Sequence, residues 1–139
     1  MAEDRIHGIH DRIGRIEMSE KAKKQRKRLY NAPHHTRRKV MSATLNDKLR
    51  ERYNTRSLPL RKGDEVEVMR GSFKGHVDKV AKVDRKHYRV YIEDITVQKA
   101  DEAQVPYGVH PSNLRIVKLD LSDPLRKEKL QRYQQEGSK

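Results

Sequence analysis

Ile6, Ile9, Ile13 and Ile16 recur at spacings of three, four and three, so residues 3–20 predict a helix with one apolar face. Gly8 and Gly14 weaken it, each by about 1 kcal/mol relative to alanine. Such a stripe needs a surface to cover. The pattern leaves open whether that surface is the later domain or another molecule. A second, short helix is expected over 42–54, where Leu45, Leu49 and Tyr53 follow an i, i+4, i+8 pattern. Ser42 or Asn46 offers a cap, and Arg50, Arg52 and Arg56 cover the exposed side. Ser57-Leu58-Pro59-Leu60 closes this region.

From Arg61 the period changes from helix to strand. Val66 and Val68 alternate with charged residues in a half-buried strand ending at Met69. Val77–Val83 is a second strand, although its valines at 77, 80 and 83 do not alternate cleanly. Asp84-Arg85-Lys86-His87 reads as a turn. In Tyr88–Glu93, Tyr88, Val90 and Ile92 face one way. Ile95–Lys99, a polar turn at Asp101–Glu102 and the run from Val105 predict a hairpin. After the tight His110-Pro111-Ser112-Asn113 connection, Leu114–Leu119 places Leu114 and Ile116 on one face. About five short strands within roughly 60 residues suggest a small barrel. Asp123-Pro124 then starts a C-terminal helix, with Asp123 as cap and Pro124 at its first position. Either Leu125, Lys129 and Tyr133 or Leu130 and Tyr133 form its contact face. The segment 134–139 is expected to fray.

The turn between the first two strands carries the most specific local signal. Gly71 and Gly75 bracket Phe73 and Lys74, and glycine permits positive φ and close backbone approach. Backbone amides, Lys74 and an aromatic ring together suit a phosphate-bearing partner. A hairpin loop with solvated charges explains the same residues equally well.

Charge separates these readings. Of 139 residues, 38% are charged and 33% hydrophobic, with a net charge of +13. So polar a chain does not bury all of itself. Residues 1–60 hold 16 Lys and Arg against 7 Asp and Glu, while residues 61–139 hold 17 against 13. The excess is therefore N-terminal, as in a polyanion binder. In Lys21–Arg28, six of eight residues are basic and none acidic, so the block is expected to be disordered by itself. Pro33 biases Ala32 away from helix. Arg37, Arg38 and Lys39 form a second basic cluster, and Tyr30, His34 and His35 are of types that stack on unpaired bases. No apolar run approaches the roughly 20 residues of a membrane span, so no membrane partner is expected. The absent cysteines fit a reducing compartment, and the N-terminus lacks a secretory core; the expected location is cytoplasmic.

No catalytic constellation emerges. Asp64, Glu65 and Glu67 sit at expected outward positions beside many lysines, as solvated charge partners. Neither GxxxxGK[ST] nor GxGxxG occurs. His7 with His10, and adjacent His34 and His35, supply too few ligands for a metal. No enzyme activity, metal, cofactor or small-molecule substrate is expected.

Gly63-Asp64-Glu65-Val66-Glu67-Val68 with Gly71, Lys74-Gly75 and Val80 resembles the KOW motif of ribosomal proteins and transcription elongation factors. The flanks are more specific. Arg28-Leu29-Tyr30-Asn31-Ala32-Pro33-His34-His35-Thr36-Arg37-Arg38-Lys39-Val40-Met41-Ser42, Tyr53–Lys62 and Val109-His110-Pro111-Ser112-Asn113-Leu114 resemble the large-subunit ribosomal family called L twenty-four in archaea and L twenty-six in eukaryotes. The resemblance covers roughly residues 23–130. It implies a mainly β chain: a small SH3-like KOW barrel with a basic, partly helical N-terminal extension and a short C-terminal helix. It also implies a ribosomal location, binding to the 5′ region of large-subunit rRNA beside neighbouring ribosomal proteins, action early in subunit assembly, and a place near the peptide exit tunnel. Asp78 stands near where family members often carry a further glycine, and the isoleucine-striped extension has no counterpart in the pattern.

The expected organisation is an amphipathic helix over 1–20, a basic RNA-binding arm over 21–60, the barrel over 61–120, and a C-terminal helix and tail over 121–139. Candidate RNA contacts in the arm are Lys23, Lys24, Arg26, Lys27, Arg28, Tyr30, His34, His35, Arg37, Arg38 and Lys39. On the barrel they are Arg70, Lys74, Gly75, Arg85, Lys86, Ser112 and Asn113. The alternative reading is a KOW-module transcription elongation factor that contacts RNA polymerase.

Overall fold

A computed structural model describes residues 19–136. The isoleucine-striped helix expected over 3–20 thus lies, apart from its last two residues, outside the described residues, as do residues 137–139. The chain divides after Ala32 into two units.

In the first unit, residues Ala22–Tyr30 form helix α1. The basic block expected to be disordered by itself is therefore helical here. Lys, Arg, Gln and Ala are all strong helix formers, and Lys27 and Arg28 in the last turn suit the negative end of the helix dipole. No residue of α1 is buried. The helix stops at Asn31, whose backbone N–H donates to the Lys27 carbonyl at 3.0 Å, two residues before Pro33.

In the second unit, α2 (His34–Val40) is followed by β1 (Ser42–Leu45), α3 (Asp47–Tyr53) and β2 (Ser57–Pro59). The helix expected over 42–54 is thus shortened. Ala43 and Leu45 are buried alternately with half-buried Ser42 and Thr44, the period of a strand. The helix begins only after Asn46, whose side chain accepts from the Asp47 backbone N–H at 2.7 Å. It ends on Asn54 in the left-handed conformation (φ 46°), which Asn tolerates better than most residues.

The remaining strands are β3 (Glu65–Val68), β4 (Val77–Asp84), β5 (Arg89–Gln98), β6 (Gln104–Val109) and β7 (Leu114–Lys118), with a 3₁₀ turn over Pro111–Asn113. One seven-stranded sheet has the order β2-β1-β7-β3-β4-β5-β6. Only β1 and β7 pair in parallel; every other neighbouring pair is antiparallel. The edge strands β2 and β6 do not pair with each other, so the expected small SH3-like KOW fold is an open sheet rather than a closed barrel.

The irregular valine spacing in β4 has a local cause. The register slips between Val80 and Lys82, a bulge that breaks two-residue alternation. Val80 is fully buried and Val77 exposed. A similar phase change occurs in β5, where Asp94 takes φ 60°; Val90 and Ile92 alternate, then Ile95 is the next buried side chain. One core joins Met41, Leu45, Val66, Val68, Val80, Ile95, Leu114 and Ile116.

Helix α4 (Pro124–Glu136) covers part of this core. Asp123 caps it, its Oδ1 accepting from the Leu125 N–H at 3.0 Å. Of the two contact faces expected, Leu130 and Tyr133 is the one formed: Leu130 is buried and Tyr133 packs on the core, whereas Leu125 is exposed. Burying a leucine such as Leu130 stabilises by about 1.5–3 kcal/mol. The helix continues through Gln134 to Glu136.

Asp64 corrects the expectation of outward, solvated acids. It is fully buried. Its Oδ1 and Oδ2 accept from Arg126 Nη1 and Nη2 at 2.6 and 2.8 Å, and from the backbone N–H groups of Asp120 and Arg61 at 2.9 Å each. Glu65 and Glu67 do pair outward, with Lys118 and Arg115 on β7 at 3.2 and 2.7 Å. The hydrogen bond from Glu67 raises the Arg115 pKa above its ordinary value.

Candidate nucleic-acid interface

Arg85 and Lys86 are presented by a tight β4–β5 turn built around Asp84. Its Oδ1 accepts from the backbone N–H groups of Lys86 and His87 at 2.9 and 3.3 Å, and its Oδ2 lies 2.7 Å from His87 Nδ1. The His87 side chain, followed by the backbone donors, holds the Asp84 carboxyl below the usual aspartate value. Arg37 reaches across from α2, donating through Nη1 to the Lys86 carbonyl at 2.9 Å. Its guanidinium also lies 5.4 Å from the Tyr88 ring centroid, a cation–π distance. Arg37 therefore positions the turn that exposes Arg85 and Lys86.

Beside that turn is a cleft of about 680 Å³. Met41, Leu60, Ala81 and Val83 form its apolar lining; Arg38, Arg61, Lys62, Lys82 and Arg85 supply its charge. Among the described residues, no acid lines it. Arg61 pairs with Asp123, and the hydrogen bond from Arg61 is the first cause of the lowered Asp123 pKa. Among the described residues, Arg38, Lys62, Lys82 and Arg85 form no ion pair. Four such cations surround an apolar floor, a lining whose charge suits an anionic ligand. The sequence nominated Arg38 and Arg85. It missed Lys62 and Lys82, because the convergence of α2, the loop before β3 and β4 has no local signal.

The β3–β4 turn differs from expectation in one respect. Gly71 and Gly75 do take positive φ, 93° and 87°. However, the Lys74 N–H donates to the Gly71 carbonyl at 3.2 Å, Gly75 to Val68 at 2.8 Å, and His76 to Phe73 at 3.1 Å. The amides of 74–76 are thus used within the turn, and the Arg70 and Lys74 side chains are exposed on it. A side chain added at Gly71 or Gly75 would meet nothing within 4 Å, so the turn is open to approach. Asp78 disturbs nothing here: its Oδ1 accepts from the Lys79 N–H at 2.7 Å, and it pairs in register with Val66.

The Met69 N–H donates to the Asn113 carbonyl at 2.8 Å. This bond ties the β3–β4 turn to the 3₁₀ turn, and Arg70 and Asn113 border one small cleft. Ser112 is engaged locally, its hydroxyl 2.7 Å and its backbone N 3.2 Å from His110 Nδ1. His34, His35 and Lys39 are exposed on α2, and Lys23, Lys24, Arg26, Lys27, Arg28 and Tyr30 are exposed on α1. Among the described residues, no group of three or more His, Asp or Glu could hold a metal ion, and no helix is long and apolar enough to cross a membrane.

Residues 19–133 match the family model for the eukaryotic ribosomal proteins L twenty-six and their archaeal counterparts, L twenty-four. The chain is also 50% identical over 114 residues to "Large ribosomal subunit protein uL24" of Korarchaeum cryptofilum (strain OPF8), an alignment covering 82% of this chain and 87% of that protein. With β strands, basic helices and cationic clefts all lying within the matched span, the chain belongs to this family of large-subunit ribosomal proteins.

Proposed function

We propose that the protein is a structural component of the large ribosomal subunit that binds large-subunit rRNA. The observation that carries this reading is the cleft bordered by Arg38, Lys62, Lys82 and Arg85, cationic and without an acid in its described lining. Phosphate contacts of this kind supply affinity and register, while loop shape and unpaired bases supply specificity. The exposed cations of α1 extend the same chemistry along the arm. Lys23, Lys24, Arg26, Lys27, Arg28, Arg38 and Lys39 engage phosphates; Tyr30, His34 and His35 meet bases. Arg70, Lys74, Gly75, Arg85, Lys86, Ser112 and Asn113 form the RNA-facing edge of the sheet, with Arg37 holding the Arg85–Lys86 turn. The family resemblance supports early assembly and a place near the peptide exit tunnel, beside other large-subunit proteins.

The test is binding to large-subunit rRNA of the source organism as a function of salt. Each phosphate neutralised contributes about 0.7–0.9 to the slope of log K against log[salt]. Replacing the six cations of residues 21–28 with glutamine should flatten that slope. An unchanged slope contradicts the arm assignment. Tagged protein should sediment with large subunits; sedimentation with RNA polymerase instead contradicts the ribosomal role.

A further inference from the structure

A second, smaller cleft lies where the β3–β4 turn meets β6. It measures about 110 Å³ and is bordered by Arg70, Phe73, Arg89, Tyr107, His110 and Asn113, among others, with no acid among the described residues. At about 30 Å³ per liquid water, it holds the equivalent of three or four waters, the scale of one planar ring. Phe73 and Tyr107, 34 positions apart in the chain, meet with ring centroids 5.4 Å apart and planes tilted by 45°. Phe73 is half-buried and packs on the core, whereas Tyr107 is 46% exposed. One ring is thus anchored and braces a second whose surface is open to solvent. β6 is an edge strand, so no further strand of the described sheet shields that ring. Gly108 borders the cleft too: a Cβ there would come within 3.2 Å of the Arg89 Cβ, so glycine leaves room for the Arg89 side chain. Two arginines without an acid give the cleft the charge that suits a phosphodiester.

We propose that this cleft captures one unpaired nucleotide, its base stacked on Tyr107 and its phosphate held by Arg70 and Arg89. The site rests on the RNA-binding reading and sharpens it, because it recognises a base outside a duplex rather than phosphates alone. Every base has a π-face, so the capture is tolerant of sequence.

The test uses the full chain, as wild type and as Tyr107→Ala, Tyr107→Phe and Tyr107→Leu. Each is titrated with a short single-stranded RNA carrying one 2-aminopurine and with an RNA duplex of equal phosphate count. Wild type and Tyr107→Phe should quench the 2-aminopurine. Tyr107→Ala and Tyr107→Leu should lose the quench and bind the single strand about 5- to 150-fold more weakly, with duplex affinity the same in all four. Tyr107→Leu keeps an apolar cover over Phe73 and loses only the aromatic face. Wild-type behaviour of Tyr107→Leu, or equal loss on duplex and single strand, overturns the site and leaves the general RNA reading standing; the former result points to an apolar protein contact. Failure of wild type to bind either RNA overturns both.

Discussion

Arg126 and Asp64 form a buried, two-pronged ion pair that fastens α4 to the sheet. The guanidinium donates to both carboxylate oxygens, at 2.6 and 2.8 Å, and also to the Asp120 and Pro59 carbonyls at 3.0 and 3.3 Å. Asp64 in turn accepts from two backbone amides. The 59–64 segment, Asp120 and α4 are thus joined through two side chains. Removing one partner of such a pair leaves the other charged, buried and uncompensated.

Asp64→Asn and Arg126→Met should each lower unfolding free energy by about 3–5 kcal/mol. The double variant should lose much less than the two single losses together. Chemical denaturation of the four proteins checks this. Additive losses would mean that the two residues do not act as a unit.

Among the described residues, the three positive-φ glycines, Gly63, Gly71 and Gly75, should rank by what surrounds them. Gly71→Ala and Gly75→Ala meet open space, so only backbone strain applies, about 1–2 kcal/mol each. At Gly63 the same substitution also brings a Cβ to 3.0 Å from Asp120 Oδ2, within a loop fixed by the Asp64 network. Gly63→Ala should therefore be the most destabilising of the three in thermal unfolding. Equal losses would show that the Asp120 side chain moves aside freely.

Acid should unfold the protein in a way that Asp84 shapes. Asp84, Asp120 and Asp123 all titrate below the usual aspartate value in the fold, first because of His87, the Ser122 backbone N–H and Arg61 respectively. Over the interval between the folded and unfolded values the unfolded chain binds more protons, so stability rises with pH. Their contribution is complete above about pH 5 and disappears as pH falls through the lowered values. Asp84→Asn should flatten the acid limb of a stability-against-pH curve. A variant curve running parallel to wild type through the acid range would contradict the pairing.

Much of this fold was legible locally. Alternating Val66 and Val68, the Asp123-Pro124 helix start and the turn at 84–87 need only neighbouring residues, and each forms. What depended on distant partners was not. Leu45 fits a helical i, i+4 series with Leu49 and Tyr53, but pairing of β1 with β2 and β7 makes residues 42–45 a strand. Asp64 fits a row of outward acids until Arg126, 62 positions later, arrives beside it. The candidate site divides the same way. Runs of cations such as Lys21–Arg28 and Arg37–Lys39 are visible in one dimension. Lys62 and Lys82 lie far apart in the chain, as do Arg70 and Arg89, and only the fold brings the first pair to the larger cleft and the second to the smaller. The expected amide-lined turn is narrowed for a related reason: the amides of 74–76 bond within the turn itself.

Arg37→Ala should act through the turn it holds. It removes the bond to the Lys86 carbonyl and the contact with Tyr88 and leaves Arg85 and Lys86 in place. Faster amide hydrogen exchange at 85–88, with rRNA affinity reduced several-fold, is the expected outcome. Unchanged exchange there would assign Arg37 to direct RNA contact instead.

On the proposed function, neutralisation of RNA phosphates by the cations of the larger cleft carries the binding. It is tested most directly by the salt dependence of binding to large-subunit rRNA, comparing wild type with a variant carrying glutamine at Arg38, Lys62, Lys82 and Arg85. All four lie around the cleft without an ion-pair partner among the described residues, so the variant should fold as wild type does. If all four engage phosphates, the slope of log K against log[salt] falls by about 3–4 in magnitude, with weaker binding at low salt. A slope equal to wild type, with the variant folded, would contradict the account.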